Sequence, residues 1–251
     1  MIFRRWAPEI AGLASLAGIL ALVEILIRVD LVSRFVMPPP SAVLASLGRV
    51  VVEERIPSRF LLTAAEALGA GISVAIVGIA LGALLSRARV LRAATEAWIA
   101  GFAAAPLVLA YPLFLVVFGR NSVTIAAMGF FAALAPVILK TVEGLLGVRR
   151  VLIDVGRGFS LTPWQLFWKV EFPAAVPSIF TGLRLGLILA LINVVGLEFL
   201  INFGGLGQLI NDLAERYDLP GTYAAIVFVV LVSVMFFAVL ERIEKWLRPG
   251  T

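Results

Sequence analysis

The chain has 251 residues, of which 61% are hydrophobic and 15% charged, and its net charge is +5. Soluble globular domains are about half apolar and about a quarter charged, so this composition indicates a membrane protein. The sequence contains neither cysteine nor histidine, which excludes disulfides, thiolate chemistry, histidine-ligated metals and imidazole proton transfer. Basic residues lie beside apolar segments, so the charge predicts membrane orientation and contact with lipid, and not nucleic-acid binding.

Six apolar segments are long enough to cross about 30 Å of hydrocarbon as helices. They run approximately over residues 10–29, 62–85, 97–118, 123–146, 178–203 and 223–240. No linker or low-complexity tract separates them. We therefore predict an all-α fold, a single transmembrane domain over residues 1–251.

The flanking basic residues predict the direction of insertion, because loops rich in Lys and Arg stay in the cytoplasm. With the N-terminus inside, the larger basic set lies on the inner side: Arg4, Arg5, Arg87, Arg89, Arg92, Arg149, Arg150, Arg157, Lys169, Arg242, Lys245 and Arg248. The smaller set lies outside: Arg34, Arg49, Arg55, Arg59, Arg120 and Arg216. Both termini are then cytoplasmic.

After the first span, the outer segment reads MPPPSAVL from residue 37. Its prolines end the first helix, and Ser41 is placed to cap a short helix along the outer surface.

Small residues recur every three or four positions in two of the spans. They are Ala67, Gly71, Ala75, Gly78 and Gly82 in the second span, and Gly182, Gly186, Ala190 and Asn193 in the fifth. Such stripes allow helix backbones to approach closely, which predicts a tight bundle.

The segment at about residues 149–177 lies between the fourth and fifth spans and is amphipathic and basic. We predict a first helix from about Arg149 to Phe159. A second helix begins with Thr162 as N-cap, Pro163 at its first position and Gln165 completing a capping box, which contributes about 1 kcal/mol.

The second helix is predicted to end at Pro173 and to carry an aromatic face of Trp164, Phe167 and Trp168. Its chemistry alone leaves two interpretations open. One is a loop anchored at the membrane surface by tryptophan, and the other is a docking device for a cytoplasmic partner.

The loop resembles the signature loop of permease subunits in ATP-binding-cassette importers of the binding-protein-dependent type I (MetI-like) family. The family's Glu-Ala-Ala falls on Asp154, Val155 and Gly156, its Arg on Arg157 and its Gly on Ser160, and the loop continues through Leu161, Thr162 and Gln165. The family's closing L-P-A-A-x-P falls on residues 172–177. The similarity begins at about Pro38, includes Glu198 and the GGLGQLI segment after it, and is greatest to permeases for nitrate, taurine and aliphatic sulfonates.

The resemblance implies a subunit of a bacterial inner-membrane importer, without catalytic activity, cofactor or metal. Two permease subunits, alike or different, form the path for a small solute that an extracytoplasmic binding protein delivers. Two cytoplasmic ATPase subunits receive the loop and drive transport. The chain departs from the family at Asp154 and Ser160, and a serine in a left-handed turn costs about 1 kcal/mol. Either the turn differs, or this chain docks less well, as the weaker half of a heterodimer.

Polar residues inside spans are candidates for the solute path, because burying them in lipid is costly. Glu198 either lies near the outer mouth or gate of the path, or caps or pairs with a neighbouring element. Glu66 either alters the charge preference for the solute or pairs with Arg59. Asn193 and Tyr111 are path candidates too, although helix packing explains Asn193 better and explains Tyr111 equally well. Tyr111 lies in the third span, where prolines at 106 and 112 predict a kink.

Two other classes of function compete with this interpretation. A self-sufficient secondary transporter commonly carries an inverted repeat and mid-membrane carboxylates for ion coupling, and no repeat is evident here. An intramembrane enzyme lacks the residues it needs, since the sequence holds no histidine and no mid-span aspartate. A phosphate-binding Gly-rich loop with Lys is also missing, so ATP hydrolysis is expected in a partner.

Overall fold

The computed structural model describes residues 3–247. The apolar segments of this part of the chain form helices, as their periodicity predicts. Side chains at 3–10, 13, 243 and 245–247 lie outside that description, as do residues 1, 2 and 248–251, so Arg4, Arg5, Lys245 and Arg248 cannot be placed. The helices are α1 Phe3–Arg28, α2 Pro40–Glu53, α3 Ile56–Arg87, α4 Arg89–Ala104, α5 Tyr111–Phe118, α6 Ser122–Leu146, α7 Arg150–Gly158, α8 Pro163–Leu166, α9 Phe172–Ile201, α10 Gly205–Glu215 and α11 Leu219–Leu247. The all-α prediction is confirmed.

Four helical segments are long and apolar enough to cross a membrane: α3, α6, the continuous run Pro163–Ile201 and Leu219–Arg242 of α11. They contain the predicted second, fourth, fifth and sixth spans almost completely. The predicted third span is broken, because α4 and the segment Leu107–Phe118 meet at 89°. The predicted first span falls on α1, part of which lies outside the described side chains, so the count of six stays a prediction.

The centre of the bundle is the packing of α3, α6 and α9, and small residues make it possible. A Cβ at Gly82 would lie 2.5 Å from Thr141 of α6, and one at Gly186 would lie 2.8 Å from Val137. A Cβ at Gly71 would overlap Leu187 of α9. The helices therefore touch along both predicted stripes, and side chains there would force them apart.

The break in the third span follows from its prolines. Pro106 precedes a short 3₁₀ turn at Leu107–Ala110, and Pro112 occupies the first turn of α5, where its missing N–H costs nothing. The predicted kink at this position is confirmed, and it separates two short apolar helices.

At the end of the bundle that is predicted to lie outside, α2 begins differently from the prediction. Pro39 is the N-cap of α2 and Pro40 its first residue, so Ser41 lies inside the helix and the prediction that it caps α2 is wrong. Instead, the carboxylate of Glu24 in α1 accepts hydrogen bonds from the Ser41 N–H at 3.0 Å and its hydroxyl at 2.8 Å. A carboxylate suits a helix N-terminus, where backbone N–H groups are free.

Ion pairs join α2, α3 and the segment at the end of α10. Arg59 of α3 lies 2.8 Å from Asp212 of α10, and Arg49 of α2 pairs with Asp218 after α10. Burial would raise the pKa of Asp218, but hydrogen bonds from Arg49 and the Gly221 N–H, together with nearby guanidinium charge, hold it below its ordinary value. The carboxylate of Asp218 is thus kept ionised where α2 meets α11.

Candidate functional site

The loop between α6 and α9 begins with α7, which ends in a left-handed turn at Ser160. Ser160 has φ 53°. Its N–H donates to the Arg157 carbonyl at 2.8 Å, and the Leu161 N–H donates to the Gly156 carbonyl at 3.2 Å. These two bonds form a Schellman motif, whose left-handed position favours glycine. The turn is therefore the one expected of the family glycine, and serine occupies it under strain.

Gly156 allows α7 to lie directly against α8. It is buried, and a Cβ there would lie 2.5 Å from a methyl group of Leu166 and 3.5 Å from one of Leu161. Gly158, on the other side of α7, has open space beside it. Of the two glycines, only Gly156 is required for the closeness of the two helices.

The start of α8 is fixed by the predicted capping box. The Thr162 hydroxyl accepts from the Gln165 N–H at 3.3 Å, and the Gln165 side chain accepts from the Thr162 N–H at 3.0 Å. The predicted end of this helix at Pro173 is wrong. A π turn at Phe167–Glu171 joins α8 to α9, and Pro173 falls in the first turn of α9, where it does not interrupt the chain.

Arg87, the last residue of α3, connects the loop to the bundle. Its guanidinium lies 3.1 Å from the carboxylate of Glu171 in the π turn and 4.5 Å from the ring centre of Phe167. The predicted aromatic face is confirmed in that Trp164, Phe167 and Trp168 contact one another, although Phe167 points inward and is buried. This role of Arg87 is visible only in the tertiary contacts, because the sequence around it does not indicate a partner in the loop.

The outward surface of α7 and of the turn is apolar and available. Val151, Val155 and Phe159 are spaced four residues apart and form one exposed stripe, with Phe159 78% exposed. Asp154 and Arg157 flank the stripe as an exposed pair whose charged atoms are 3.9 Å apart. The two helices and the turn thus present a mixed apolar and charged corner on a rigid support.

Glu198 is fully buried near the C-terminal end of α9 and caps α10. Its carboxylate accepts from the Gly207 N–H at 2.8 Å and from the Thr63 hydroxyl at 2.7 Å, while the Thr63 oxygen accepts from the Leu206 N–H at 2.9 Å. A Cβ at Gly205 would overlap the Glu198 carboxylate. The GGLGQLI segment therefore brings a helix N-terminus against a buried acid, which is the capping alternative for Glu198.

Glu66 lies one helical turn after Thr63 and beside Glu198. It is only 4% exposed, and neither carboxylate oxygen has a hydrogen-bond partner among the described residues. The predicted pair with Arg59 is wrong, because Arg59 reaches Asp212 on α10.

The four path candidates do not converge on one site. Glu66 and Glu198 are neighbours, whereas Tyr111 packs against the apolar cluster that contains Ile125 and Leu197. Asn193 faces a separate cavity of about 320 Å³ beside the break in the third span. Its side-chain N–H donates to the Leu189 carbonyl at 2.9 Å.

Comparison with known proteins settles the family. A family model described as "Binding-protein-dependent transport system inner membrane component" matches residues 55–250. The chain belongs to this family. It is 28% identical over 213 residues to the riboflavin transport system permease protein RibX of Chloroflexus aurantiacus, which covers 85% of this chain and 80% of that protein. It is 30% identical over 178 residues to the nitrate import permease protein NrtB of Synechocystis sp., which covers 71% of this chain and 65% of that one.

The fold agrees with that of a solved importer. A permease chain of the inward-facing MetNI methionine ABC transporter superposes with a TM-score of 0.65 at 21% identity, covering 75% of this chain and 94% of that chain. Permeases named for taurine and for aliphatic sulfonates match in sequence as well, so the predicted resemblance is confirmed.

This permease is accordingly a multi-pass inner-membrane subunit of an ATP-binding-cassette importer, and it is not itself an enzyme. Importers of this kind work with ATPase subunits and with binding proteins. Membership in the family disfavours a self-sufficient secondary transporter.

Proposed function

We propose that the corner formed by α7, Ser160 and α8 docks into the cytoplasmic ATPase and transmits its motion to the spans. The observation that carries this proposal is the exposed stripe of Val151, Val155 and Phe159 on a loop whose two ends are fixed. The Schellman motif and the capping box hold the turn between the helices, and Arg87 holds the loop against α3. An exposed apolar stripe flanked by charges is typical of a protein-binding surface.

The proposal includes the charged and polar residues around the corner. Asp154 and Arg157 lie on the exposed side of α7 and suit charge contacts with the ATPase, which favour correct orientation more than affinity. Four other residues contribute indirectly, because they set the geometry of the turn and of the contact between the helices: Leu161, Thr162, Gln165 and Gly156.

We also propose the topology and assembly that this docking requires. The loop, and with it both termini, lies in the cytoplasm, as the distribution of Lys and Arg predicts. Two permease subunits enclose the path and two ATPase subunits bind beneath them. A binding protein releases a small solute at the outer side, where Glu198 and Glu66 lie under α10. In this arrangement Glu198 fixes the outer helix, Asn193 lines the path, and Tyr111 supports it by packing.

The docking proposal is tested at Ser160. The importer complex is purified in mild detergent through a tag on this chain, and both the retained ATPase subunits and the rate of ATP hydrolysis are measured. Ser160→Gly should preserve or raise hydrolysis, because glycine relieves about 1 kcal/mol of left-handed strain. Ser160→Arg should abolish coupled hydrolysis, because it places a long charged side chain at the corner.

Ser33→Arg is the matched control, since it adds the same side chain at an exposed position in the segment after α1. It should leave hydrolysis unchanged. Normal transport and hydrolysis in Ser160→Arg would refute the docking assignment. Native mass spectrometry of the same preparation gives the stoichiometry. Two copies of this chain would establish a homodimer, and one copy beside a different permease would explain Asp154 and Ser160 as asymmetry.

A further inference from the structure

The cavity beside the break in the third span opens at the surface of the bundle, where two permease subunits of the proposed importer would enclose it. Its walls are the end of α4, the 3₁₀ turn, the middle of α6 and the second half of α9, and its volume is about 320 Å³. That volume falls at the lower end of the range of ordinary small-ligand sites. Glycine at 196 and alanines at 105 and 132 keep it open, since larger side chains there would occupy the space.

The polar atoms of this cavity are mainly hydrogen-bond acceptors. Asn193 uses one of its two amide N–H groups on the Leu189 carbonyl, and its side-chain oxygen is left without a donor among the described residues. Pro136 interrupts α6 and has no N–H, so the carbonyl of Ala132, one turn earlier, loses its helical partner. Ala132 is one of the lining residues. Two unpaired oxygens are thus available at the same wall.

The rest of the lining is apolar and partly aromatic. Phe102 and Phe131 meet edge to face at a ring-centre distance of 6.5 Å, and Pro106 completes that side. Among the described residues around the cavity, none contributes a charged side chain. An anion entering it would lose part of its hydration and would gain no cationic partner, which is unfavourable.

We propose that this cavity is a contact site for the transported solute and that it favours an uncharged, planar, N–H- or O–H-bearing molecule over a small inorganic anion. Ring faces of the solute pack on the phenylalanines and Pro106, and its donors bind the oxygens of Asn193 and Ala132. This inference rests on the proposed function, because only a permease passes solute between its spans.

The absence of cysteine from the chain makes the test direct. Val108→Cys places one thiol in the cavity and leaves Asn193 and Ala132 intact, and Tyr217→Cys places a reference thiol at an exposed site outside it. In the detergent-purified complex, cationic and anionic methanethiosulfonate reagents are compared at both positions. The cationic-to-anionic rate ratio should be about tenfold higher at Val108→Cys than at Tyr217→Cys, since the cavity offers acceptors and no cation.

Protection by added probes gives the second readout. Lumichrome, an uncharged tricyclic heterocycle, should slow labelling of Val108→Cys, and nitrate should not. Neither probe should affect Tyr217→Cys. Equal rate ratios at the two sites, or protection by nitrate, would overturn the inference. A thiol that reacts with neither reagent would also overturn it, because lipid or a second subunit then fills the space.

ATP hydrolysis by the unlabelled Val108→Cys complex distinguishes failure of the cavity inference from failure of the proposed function. If it matches the parent complex while labelling fails as described, only the cavity inference is wrong. If the parent complex retains no ATPase subunit and hydrolyses no ATP, the proposed function is wrong.

Discussion

Replacement of Glu198 tests whether the buried carboxylate acts through its hydrogen-bond geometry or through its charge. In Glu198→Ala, the Gly207 N–H loses its acceptor, the Thr63 hydroxyl loses its nearer partner, and a void remains at a fully buried position. An unsatisfied buried donor costs about 1–3 kcal/mol, and the void adds to it. We expect a loss of about 3–5 kcal/mol.

Glu198→Gln should behave differently because the amide fits the same bonds. Its oxygen accepts from the Gly207 N–H, and its NH₂ donates to the Thr63 oxygen, whose own hydrogen turns to the Arg59 carbonyl at 3.2 Å. The amide forgoes at most about 0.3–1 kcal/mol, which is what an ionised carboxylate gains at the N-terminus of α10. It also replaces one of two neighbouring carboxyl groups with a neutral amide beside Glu66. The net change should therefore be within about 1 kcal/mol.

The assay is thermal unfolding of the purified complex, followed by intrinsic tryptophan fluorescence. The signal of the five tryptophans of this chain is obtained by comparison with a complex in which this chain carries no tryptophan. For a chain of this size each kcal/mol shifts Tm by about 2–4 °C, so Glu198→Ala should lower Tm by about 6–20 °C and Glu198→Gln by a few degrees at most. Equal losses in the two variants would show that the charge matters, and the capping argument would fail.

Three further predictions concern other contacts. Gly156→Val should cost about 1–3 kcal/mol and reduce ATPase retention, because its side chain meets a methyl group of α8, whereas Gly158→Val, with open space beside it, should retain the ATPase. A double-mutant cycle of Arg87→Gln and Glu171→Gln, measured by thermal unfolding, should give an interaction energy of about 0.2–1 kcal/mol, since both groups are partly exposed. An interaction energy of zero would contradict the proposed link between the loop and α3. The lowered pKa of Asp218 means that its ion pair stabilises the fold above the ordinary pKa of 3.8 and is lost as the pH falls through the folded value. Tm measured from pH 6 to pH 3 should fall less in Asp218→Asn than in the parent.

Local rules predicted the elements of the loop well. The capping box at Thr162 and Gln165 depends on residues three positions apart, and the end of α7 depends on one turn of chain, so sequence contains the necessary information. Helical periodicity likewise predicted the stripes of small residues on α3 and α9. Such a stripe indicates close contact with another helix, because small side chains allow the two backbones to approach.

Contacts between distant segments could not be predicted in the same way. The hydroxyl of Ser41 has the chemistry of a cap, yet the Glu24 carboxylate of α1 takes that position from another helix. Arg59 has acidic groups on both its own helix and α10, and only the packing of α10 selects Asp212. Pro173 was expected to end a helix, but the wider π turn before it accommodates the missing N–H.

The π turn has a mechanical consequence for the whole subunit. Because it joins α8 to α9 without a break, the segment Pro163–Ile201 is one continuous helical rod of 39 residues, with Pro177 inside it. At 1.5 Å per residue such a rod is about 58 Å long, and a tilt of about 5° displaces one end by about 5 Å relative to the other. Trp164 stands near one end of the rod and Glu198, with α10 bonded to it, near the other. With the bundle of α3 and α6 as its fulcrum near mid-length, a push on the Trp164 end therefore moves the Glu198 end in the opposite direction by about 2.5 Å, half of that relative displacement.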